Sequence, residues 1–327
     1  MNMKITGKVS EIKTGTDKLI DNIQKVIYID REKLEYLVAA KLAGGHVILA
    51  DSHGVGKTSL ARALAGSIDW TGYEEPPGEI PMEPFSRIQG TVDLLPQDIV
   101  GYNRLDPTGK EMTFIRGPIF AHFLLCDEIN LLTPKTQGGF FQAMEEQTVS
   151  VEGRNYALFD PFFIIATMNL RGVHLFPLPA PQLDRFMLKL SIGFPDARTE
   201  SEIILQHGQE DAWKNFGPII NANDLIAWRK MVDRIAIHRD IVDYMVQLIQ
   251  KTRNHPEFVE GASPRTGVKV SRLSRALAVV RGYDYVTIDL VKEIFIPAVA
   301  HRLELKDAGG DAEAILREIM DSVPVPV

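Results

Sequence analysis

One segment of this chain constrains the fold more than any other, because an apolar run, a glycine-containing turn and a helical pattern follow one another in it without interruption. The segment reads VILADSHGVGKTSLARALA and begins at Val47. Four consecutive apolar residues suit a buried strand, and Leu60, Ala63 and Leu64 recur at the spacing of one helix face. A strand that leads through a turn into a helix is the unit from which parallel α/β sheets are built. The chain is therefore predicted to contain an α/β domain with a parallel sheet.

The turn in this segment has the composition of a phosphate-binding loop. Gly54 and Gly56 allow backbone N–H groups to curl toward phosphate oxygens. Lys57 would reach the phosphates, and Thr58 would bind Mg²⁺ through its hydroxyl. Asp51 stands where such loops usually begin with glycine, and we expect its side chain to turn away because a carboxylate repels phosphate. The predicted nucleotide-binding residues of the loop are Ser52, His53, Gly54, Val55, Gly56, Lys57, Thr58 and Ser59.

Two carboxylates at the end of another apolar run complete the predicted phosphate site. Residues 122–126 read as a buried strand and are followed directly by Asp127 and Glu128. In open α/β sheets, ligands bind beyond the carboxyl ends of the strands. We therefore predict that Asp127 binds Mg²⁺ beside the nucleotide and that Glu128 is a catalytic residue that polarises the attacking water.

Strand and helix patterns change along the chain and predict two domains. From about residue 30 to 195, short apolar runs alternate with helical patterns, as in a sheet flanked by helices. The strand candidates are residues 46–50, 85–89, 123–126, 162–167 and 187–192. After residue 195 the strand signals stop, and helices are predicted at residues 225–235, 240–253, 268–281 and 287–303. We expect a nucleotide-binding α/β core over residues 1–195 and a helical domain over residues 196–327.

Composition restricts the compartment and the class of partner. The single cysteine, Cys126, cannot form an intrachain disulfide, which favours a reducing compartment, and we expect a cytoplasmic protein. The sequence shows neither the apolar region of a secretory signal nor a stretch near the ~18 to 20 apolar residues of a membrane span. The net charge of -7 disfavours a dedicated nucleic-acid binder.

Together with several further motifs, these features resemble the AAA+ ATPases, and within them the MoxR group of the helix-2-insert clade. The other motifs are FSRIQGTVDLLPQDIVG, FIRGPIFAHFLLCDEINLLTPKTQGGFFQAMEEQTVSVEG, FFIIATMN, FPLPAPQLDRFMLKL, GASPRTG and AVAHRL. The resemblance runs from about residue 26 to 303, which is most of the chain. It implies a P-loop core with a five-stranded parallel sheet flanked by helices, an all-helical lid domain, and ATP with Mg²⁺ bound between core and lid.

The resemblance also implies catalytic roles for three further residues. Asn169, at the end of FFIIATMN, matches the sensor 1 residue that orients the hydrolytic water. Arg185 in QLDRF matches the arginine finger, which reaches the γ-phosphate of a neighbouring subunit. Arg265 in GASPRTG matches sensor 2, which is expected to reach the same nucleotide from the start of a lid helix, so that hydrolysis moves the lid.

Assembly and partners are likewise implied by the resemblance. We expect a homo-oligomer, a hexameric ring, that remodels or matures client protein complexes, with von Willebrand factor A domain proteins as partners. Two predicted hairpins, at residues 99–119 and 147–158, would face the pore and touch the client. Residues 70–84, rich in proline, glycine and glutamate, form a loop that stands as an insertion with an acidic tip.

Departures from the family pattern leave two other functions open. Residues 27–30 (IYID) replace the Val-Gly-Gln stretch that usually packs on adenine, and LRGVH follows Asn169 in place of a polar loop. One alternative is a nucleic-acid motor of the same clade, although neither predicted hairpin is notably basic. The other is a nucleotide-sensing scaffold that binds ATP with little hydrolysis, for which the departures at Asp51 and Asp30 leave room.

Overall fold

A five-stranded parallel sheet lies at the centre of the molecule. The computed structural model describes residues 2–51, 54–106, 109–168, 176–205, 210–307 and 309–326. The sheet contains β1 (Val47–Ala50), β3 (Glu83–Gln89), β6 (Ala121–Asp127), β9 (Phe163–Met168) and β10 (Leu188–Leu190). Its order is β10-β1-β9-β6-β3, and every neighbouring pair is parallel. The predicted sheet is confirmed, and each strand lies within a few residues of its predicted position.

Helices cover both faces of this sheet. In β6, Phe123 and Leu125 pack into one hydrophobic cluster, whereas Leu124 and Cys126 pack into another on the opposite face. This alternation explains the uninterrupted apolar run, because a strand buried on both faces exposes neither set of side chains. The helices before residue 195 are α1 (Asn2–Gln24), α2 (Arg31–Leu42), α3 (Lys57–Gly66), α4 (Pro96–Val100), α5 (Pro134–Glu146) and α6 (Ala180–Leu183).

Two antiparallel hairpins interrupt the core at the predicted positions, residues 99–119 and 147–158. In the second hairpin, Glu152 and Gly153 have φ values of 49° and 82°, as a two-residue turn with left-handed central residues requires. The first hairpin pairs β4 (Gly101–Leu105) with β5 (Met112–Arg116), and the second pairs β7 (Thr148–Val151) with β8 (Arg154–Ala157).

The chain after residue 195 is mainly helical. Its helices are α7 (Ala197–Leu205), α8 (Glu210–Lys214), α9 (Ala222–Val232), α10 (Arg239–Arg253), α11 (Pro264–Arg281), α12 (Ile288–Val299) and α13 (Ala312–Ser322). At the start of α11, Ser263 accepts a hydrogen bond from the N–H of Thr266, and Thr287 does the same for Leu290 at the start of α12. Gly282, with a φ of 83°, ends α11 in the left-handed conformation.

The N-terminal helix and two short strand pairs are features that the sequence analysis did not predict. Helix α1 packs against α2, α3 and α11, and so connects the start of the chain to the lid. The strands are too short for an alternating pattern to be recognised. They are β2 (Ile68–Asp69), parallel to β11 (Ile220–Asn221), and β12 (Phe258–Glu260), antiparallel to β13 (Glu304–Leu305). Among the described residues, no helix combines the length and the apolar character that crossing a membrane requires.

The insertion at residues 70–84 packs against the core. The ring of Trp70 stacks on that of His122, with centroids 4.3 Å apart. Glu75 Oε1 lies 3.0 Å from His122 Nε2, and both carboxylate oxygens of Glu75 accept from the N–H of Met82 at 3.1 Å. Because only 17% of the Glu75 side chain is exposed, this glutamate belongs to the packing of the insertion and not to the predicted acidic tip.

Candidate active site

The loop between β1 and α3 has the backbone geometry of an anion-binding turn. Gly54 and Gly56 have φ values of 83° and 88°, in the left-handed region that glycine adopts without steric cost. Gly56 is also the N-cap of α3, so the first amide groups of the helix and its positive end point toward the turn. Ser52 and His53, which were predicted to belong to this loop, lie outside the described residues.

Asp51 turns away from the loop, as predicted. Its carboxylate accepts hydrogen bonds from the Ser191 hydroxyl and the Ile192 N–H, both at 2.6 Å, and from the Gly193 N–H at 3.2 Å. These donors follow directly after β10, so the carboxylate ties the loop to the neighbouring strand. The backbone carbonyl of Asp51 accepts a hydrogen bond from Lys57 Nζ at 2.8 Å, which places the ammonium group in the loop.

Thr58 and Asp127 converge although they belong to different elements. The hydroxyl of Thr58, in the first turn of α3, lies 3.3 Å from Oδ2 of Asp127 at the carboxyl end of β6. The hydroxyl of Thr167 on β9 donates to the other carboxylate oxygen, Oδ1, at 2.9 Å. Hydroxyl and carboxylate oxygens are ligands that Mg²⁺ prefers. Thr58 and Asp127 therefore fit the magnesium site that the sequence predicts.

Glu128 is held in an uncommon backbone conformation at the edge of this site. Its φ is 55°, and a positive φ costs a non-glycine residue about 1–3 kcal/mol. The N–H of Glu128 donates to the Thr167 hydroxyl at 2.8 Å. A Cβ at Gly90 would lie 2.3 Å from the Glu128 carbonyl oxygen, so glycine is required there. In this conformation Glu128 lines the same cleft as Lys57 and Thr58.

Two residues of β3, Arg87 and Gln89, contact the acidic pair and were missed in the sequence analysis. Arg87 donates to Asp127 Oδ2 from two nitrogens, at 2.7 and 3.0 Å. Gln89 Nε2 donates to Glu128 at 3.3 Å, and its Oε1 accepts from Arg87 at 2.7 Å. The signal that could have found them is their spacing, because residues two apart share one face of a strand. In the register of β3 and β6, Gln89 stands beside Asp127.

The two predicted halves of the site line one polar cleft of about 410 Å³. A smaller cleft of about 160 Å³ adjoins it at the loop and is bordered by Val55, Ile27, Tyr28 and Ile203 of α7. The polar cleft suits a phosphate chain with a metal ion, and the smaller one suits a flat ring. Asn169 lies outside the described residues, and its role stays a prediction. The polar cleft is lined by Gly54, Gly56, Lys57, Thr58, Ser59, Arg87, Gln89, Asp127, Glu128 and Thr167.

Arg185 and Arg265 lie together in another cleft, of about 240 Å³. Arg185 Nη1 is 2.8 Å from Glu145 Oε2, and Arg265 Nη1 is 3.6 Å from Oε1 of the same carboxylate. Neither arginine lines the polar cleft at Lys57. Helix α11 begins beside Arg185 and brings Arg265 to that cleft, and the contact of Arg265 with the nucleotide stays a prediction.

Burial lowers the pKa values of two bases that border the arginine cleft. The pKa of Lys269 on α11 falls to about 8, mainly through burial and then through the nearby charge of Arg302. Burial likewise lowers the pKa of His46 to about 3. His46 Nδ1 accepts a hydrogen bond from the N–H of Ile164 at 2.9 Å, as a neutral ring requires. At neutral pH His46 is therefore uncharged, whereas Lys269 keeps most of its charge, and Arg185, Arg265, Arg272 and Glu145 supply the other charges of the cleft.

Comparison with protein families identifies both parts of the chain. Residues 46–188 match the ATPase family associated with various cellular activities (AAA), and residues 250–319 match the AAA lid domain. The first match contains the loop, the acidic pair and Arg185, and the second begins before α11. The order of core and lid along the chain is thus the order predicted from sequence.

Individual relatives narrow the family to which the chain is assigned. The uncharacterized protein YeaC of Bacillus subtilis is 37% identical over 95% of this chain and 94% of its own length. The chaperone MoxR1 of Mycobacterium tuberculosis is 31% identical over 98% of this chain and 84% of its own length. The crystal structure of a proposed ATPase from Cytophaga hutchinsonii matches with a TM-score of 0.85 and 26% identity over 100% of both chains. These relationships, together with the loop and its acidic pair, show that the chain belongs to the MoxR family of AAA+ ATPases.

Proposed function

We propose that this AAA+ ATPase binds Mg-ATP in the polar cleft and hydrolyses the terminal phosphate. The observation that carries the proposal is the 3.3 Å separation of Thr58 and Asp127, which joins two types of magnesium ligand beside a helix N-terminus. A bound Mg²⁺ would neutralise charge on the phosphate oxygens. Lys57 and the amides of Gly54 and Gly56 would orient the phosphate chain.

Glu128 is the residue proposed to orient and polarise the attacking water. Phosphoryl transfer depends on positioning and charge stabilisation more than on covalent chemistry, so a carboxylate fixed at the edge of the cleft suits the task. Thr167 and Gln89 fix it here, through the Glu128 N–H at 2.8 Å and the Glu128 carboxylate at 3.3 Å. Arg87, which donates to Asp127, would stand beside the terminal phosphate.

The nucleobase is proposed to occupy the smaller cleft. Ile27 and Tyr28 stand where the family's Val-Gly-Gln stretch is usual, and both line this cleft. Pro195 and Ile203 line it as well. If the domains divide between residues 195 and 196, as we propose, α7 belongs to the lid and the base lies between core and lid.

The second cleft is proposed to complete the site of a neighbouring subunit. Arg185 and Arg265 share the carboxylate of Glu145 and lie outside the polar cleft of their own chain. Two arginines presented side by side can stabilise the negative charge that develops on a transferring phosphate. We therefore propose that activity requires a homo-oligomer, a hexameric ring, in which both arginines act on the nucleotide of the next subunit.

The two hairpins are proposed to contact a client protein. They form one unit, since Asn103 Nδ2 donates to Glu152 at 2.8 Å and Phe114 stacks on Tyr156 with centroids 4.2 Å apart. Leu105 and Met112 at the end of the first hairpin are 56% and 59% exposed. Apolar side chains suit a polypeptide better than a phosphate backbone, which favours a protein client over a nucleic acid.

Which client is remodelled is proposed from relatives alone. The relative from Mycobacterium tuberculosis is named a chaperone, and we propose chaperone-like maturation of protein complexes. The motifs that resemble the MoxR group are the basis for proposing von Willebrand factor A domain proteins as partners. Affinity capture with the Glu128→Gln protein and ATP tests this, since a slowed ring should retain its client. Capture of nucleic acid, or hydrolysis stimulated by DNA, would favour the motor instead.

The hydrolysis proposal is tested with the same substitution. Glu128→Gln should bind ATP within about threefold of the wild type and hydrolyse it at least ~100-fold more slowly, the usual scale for loss of a water-polarising group. Glu146→Gln, an exposed carboxylate at the end of α5, is the matched control and should hydrolyse normally. Unchanged turnover in Glu128→Gln would remove this residue from the mechanism. A wild type that binds ATP without turnover at any protein concentration would favour the sensing scaffold.

A further inference from the structure

Arg302 is a buried arginine that contacts the residues on both sides of Arg185. It lies in the 3-10 turn Ala300–Arg302 after α12, in the AVAHRL motif, and only 2% of its side chain is exposed. Its Nε donates to Asp184 Oδ1 at 2.8 Å. Its guanidinium also donates to the carbonyls of Phe186 and Met187, the latter at 3.4 Å. The residues before and after Arg185 are thus held by one rigid planar group.

A second cation from the lid holds the same segment. Lys269 on α11 donates from Nζ to the backbone carbonyl of Asp184. Lys269 stands one turn after Arg265 on the same helix. The segment that carries Arg185 is therefore fastened to the lid by contacts from α11 and from the turn after α12.

The chemistry of these contacts suits a positioning role. Arginine keeps its charge when buried and presents its donors in a fixed fork, so three acceptors around one guanidinium define both the place and the orientation of a segment. In contrast, the Arg185 side chain contacts α5, where it pairs with Glu145, of which 42% is exposed, and donates to the Phe141 carbonyl at 2.9 Å. The lid therefore holds the residues on both sides of Arg185, whereas the Arg185 side chain itself contacts residues of α5.

We propose that Arg302 is a positioning residue for Arg185, so that the lid of one subunit sets the geometry of the arginine offered to the nucleotide of its neighbour. This inference rests on the proposed trans-acting site. Misplacement of a transition-state contact by about 1 Å can reduce a rate on the order of 100-fold. A lid that shifts when its own subunit changes nucleotide would consequently change the rate in the next one.

Mixed rings of two subunit types test whether Arg302 acts on the nucleotide of the neighbouring subunit through Arg185. One subunit type carries Arg185→Ala and can hydrolyse ATP only with an arginine from its neighbour. The other carries Glu128→Gln and cannot hydrolyse, but still offers Arg185. Each type alone should be nearly inactive, and the mixture should recover ATPase activity. Arg302→Gln is then added to one subunit type or to the other, and assembly of each mixture is measured by analytical ultracentrifugation.

The recovered ATPase activity should depend on which subunit type carries Arg302→Gln. In the subunit that offers Arg185, Arg302→Gln should lower the recovered activity at least ~10-fold, whereas in the hydrolysing subunit the loss should stay within about threefold. Arg302→Lys should give an intermediate loss in the first position, because lysine keeps the charge near Asp184 but lacks the fork. If the Arg302→Gln protein does not fold, Asp184→Asn is placed in the same two subunit types instead. This substitution weakens the contact between Arg302 and residue 184 but keeps a hydrogen-bond acceptor there.

Three results would overturn the inference, and the third of them would also reject the trans-acting site on which it rests. Equal losses in both positions would show that Arg302 only supports the fold of its own subunit. No loss in either position would show that Arg185 needs no such support. If the parent mixture without any Arg302 substitution recovers no activity although it assembles, the trans-acting site itself is wrong, and the failure lies in the proposed function.

Discussion

Arg185 and Glu145 form an ion pair of 2.8 Å at the border of the arginine cleft, and the same carboxylate lies 3.6 Å from Arg265. Both arginines are thus held by one residue at the end of α5, the helix that leads from the acidic pair to the second hairpin. If these arginines act on a neighbouring nucleotide, they must exchange Glu145 for phosphate. Glu145 is then a counter-ion that competes with the substrate.

Removing this counter-ion should raise the activity of the assembled protein. We expect Glu145→Gln to increase ATP hydrolysis about twofold to fivefold, since an exposed ion pair contributes up to about 1 kcal/mol. Steady-state ATPase assays over a range of protein concentrations measure this, with Glu146→Gln as the control. A rate that drops below about a tenth of the wild type would show that Glu145 supports the arginines and does not restrain them.

Gln89 should affect turnover more than nucleotide binding. Gln89→Leu keeps the size of the side chain and removes the amide that contacts Glu128 at 3.3 Å and Arg87 at 2.7 Å. Loss of a hydrogen bond to a catalytic carboxylate should lower kcat about twofold to tenfold and leave KM nearly constant. Gln97→Leu, at an exposed position of α4, is the matched control. A change in KM with constant kcat would place Gln89 in binding instead.

Asp51 should matter for stability and little for phosphate binding. Its carboxylate accepts the N–H groups of Ile192 and Gly193, and only 7% of the residue is exposed. Asp51→Ala leaves these donors without this partner and should lower the free energy of unfolding by about 1–3 kcal/mol, as measured by urea denaturation. Mg-ATP affinity of Asp51→Asn should stay within about threefold of the wild type. Affinity that rises more than about tenfold would show that the carboxylate does repel the phosphates.

The folded protein should lose stability as the pH falls below about 6.5. Burial lowers the pKa of His46 from 6.5 to about 3 and lowers the pKa of His301 well below 6.5. Below pH 6.5 the unfolded chain therefore binds protons that the folded chain does not, and each histidine costs up to about 1.4 kcal/mol per pH unit. Urea denaturation between about pH 7.5 and 5 measures the slope.

A pair of substitutions separates this effect from other titrations. His46→Gln should reduce the slope of unfolding free energy against pH, because it removes one of three buried histidines whose pKa is lowered by burial, His46, His122 and His301. His238→Gln, at a side chain that is 73% exposed, should leave the slope unchanged. Equal slopes in all three proteins would exclude His46 as a source of the acid sensitivity.

The elements that repeat a strong local pattern were predictable from the sequence. The apolar run before Asp127 marked a strand buried on both faces, and glycine with Lys57 and Thr58 marked the loop. Helical patterns at residues 268–281 and 287–303 marked α11 and α12 to within a few residues of their bounds. In each case the physical cause acts within one element, so the residues of that element are sufficient to reveal it.

What was missed depends on contacts between distant elements. Arg87 and Gln89 become site residues only because β3 lies beside β6, and sequence spacing does not specify strand order. The position of Arg265 beside Arg185 likewise depends on how α11 packs against the core. Glu75 was expected on the surface because it is charged, but its carboxylate contacts His122 and the Met82 N–H and is mostly buried. Tertiary packing decides all of these placements.

The equilibrium affinity for ATP, measured with Mg²⁺ and with a chelator, tests the central claim most directly. If Thr58 and Asp127 hold the ion beside the loop, Mg²⁺ should tighten ATP binding to the wild type at least ~10-fold, and Thr58→Val, which keeps the shape and removes the hydroxyl, should abolish that gain. Lys57→Ala should bind ATP weakly under both conditions. A wild type that does not bind ATP would contradict the account. So would a Thr58→Val protein whose ATP affinity depends on Mg²⁺ as strongly as that of the wild type.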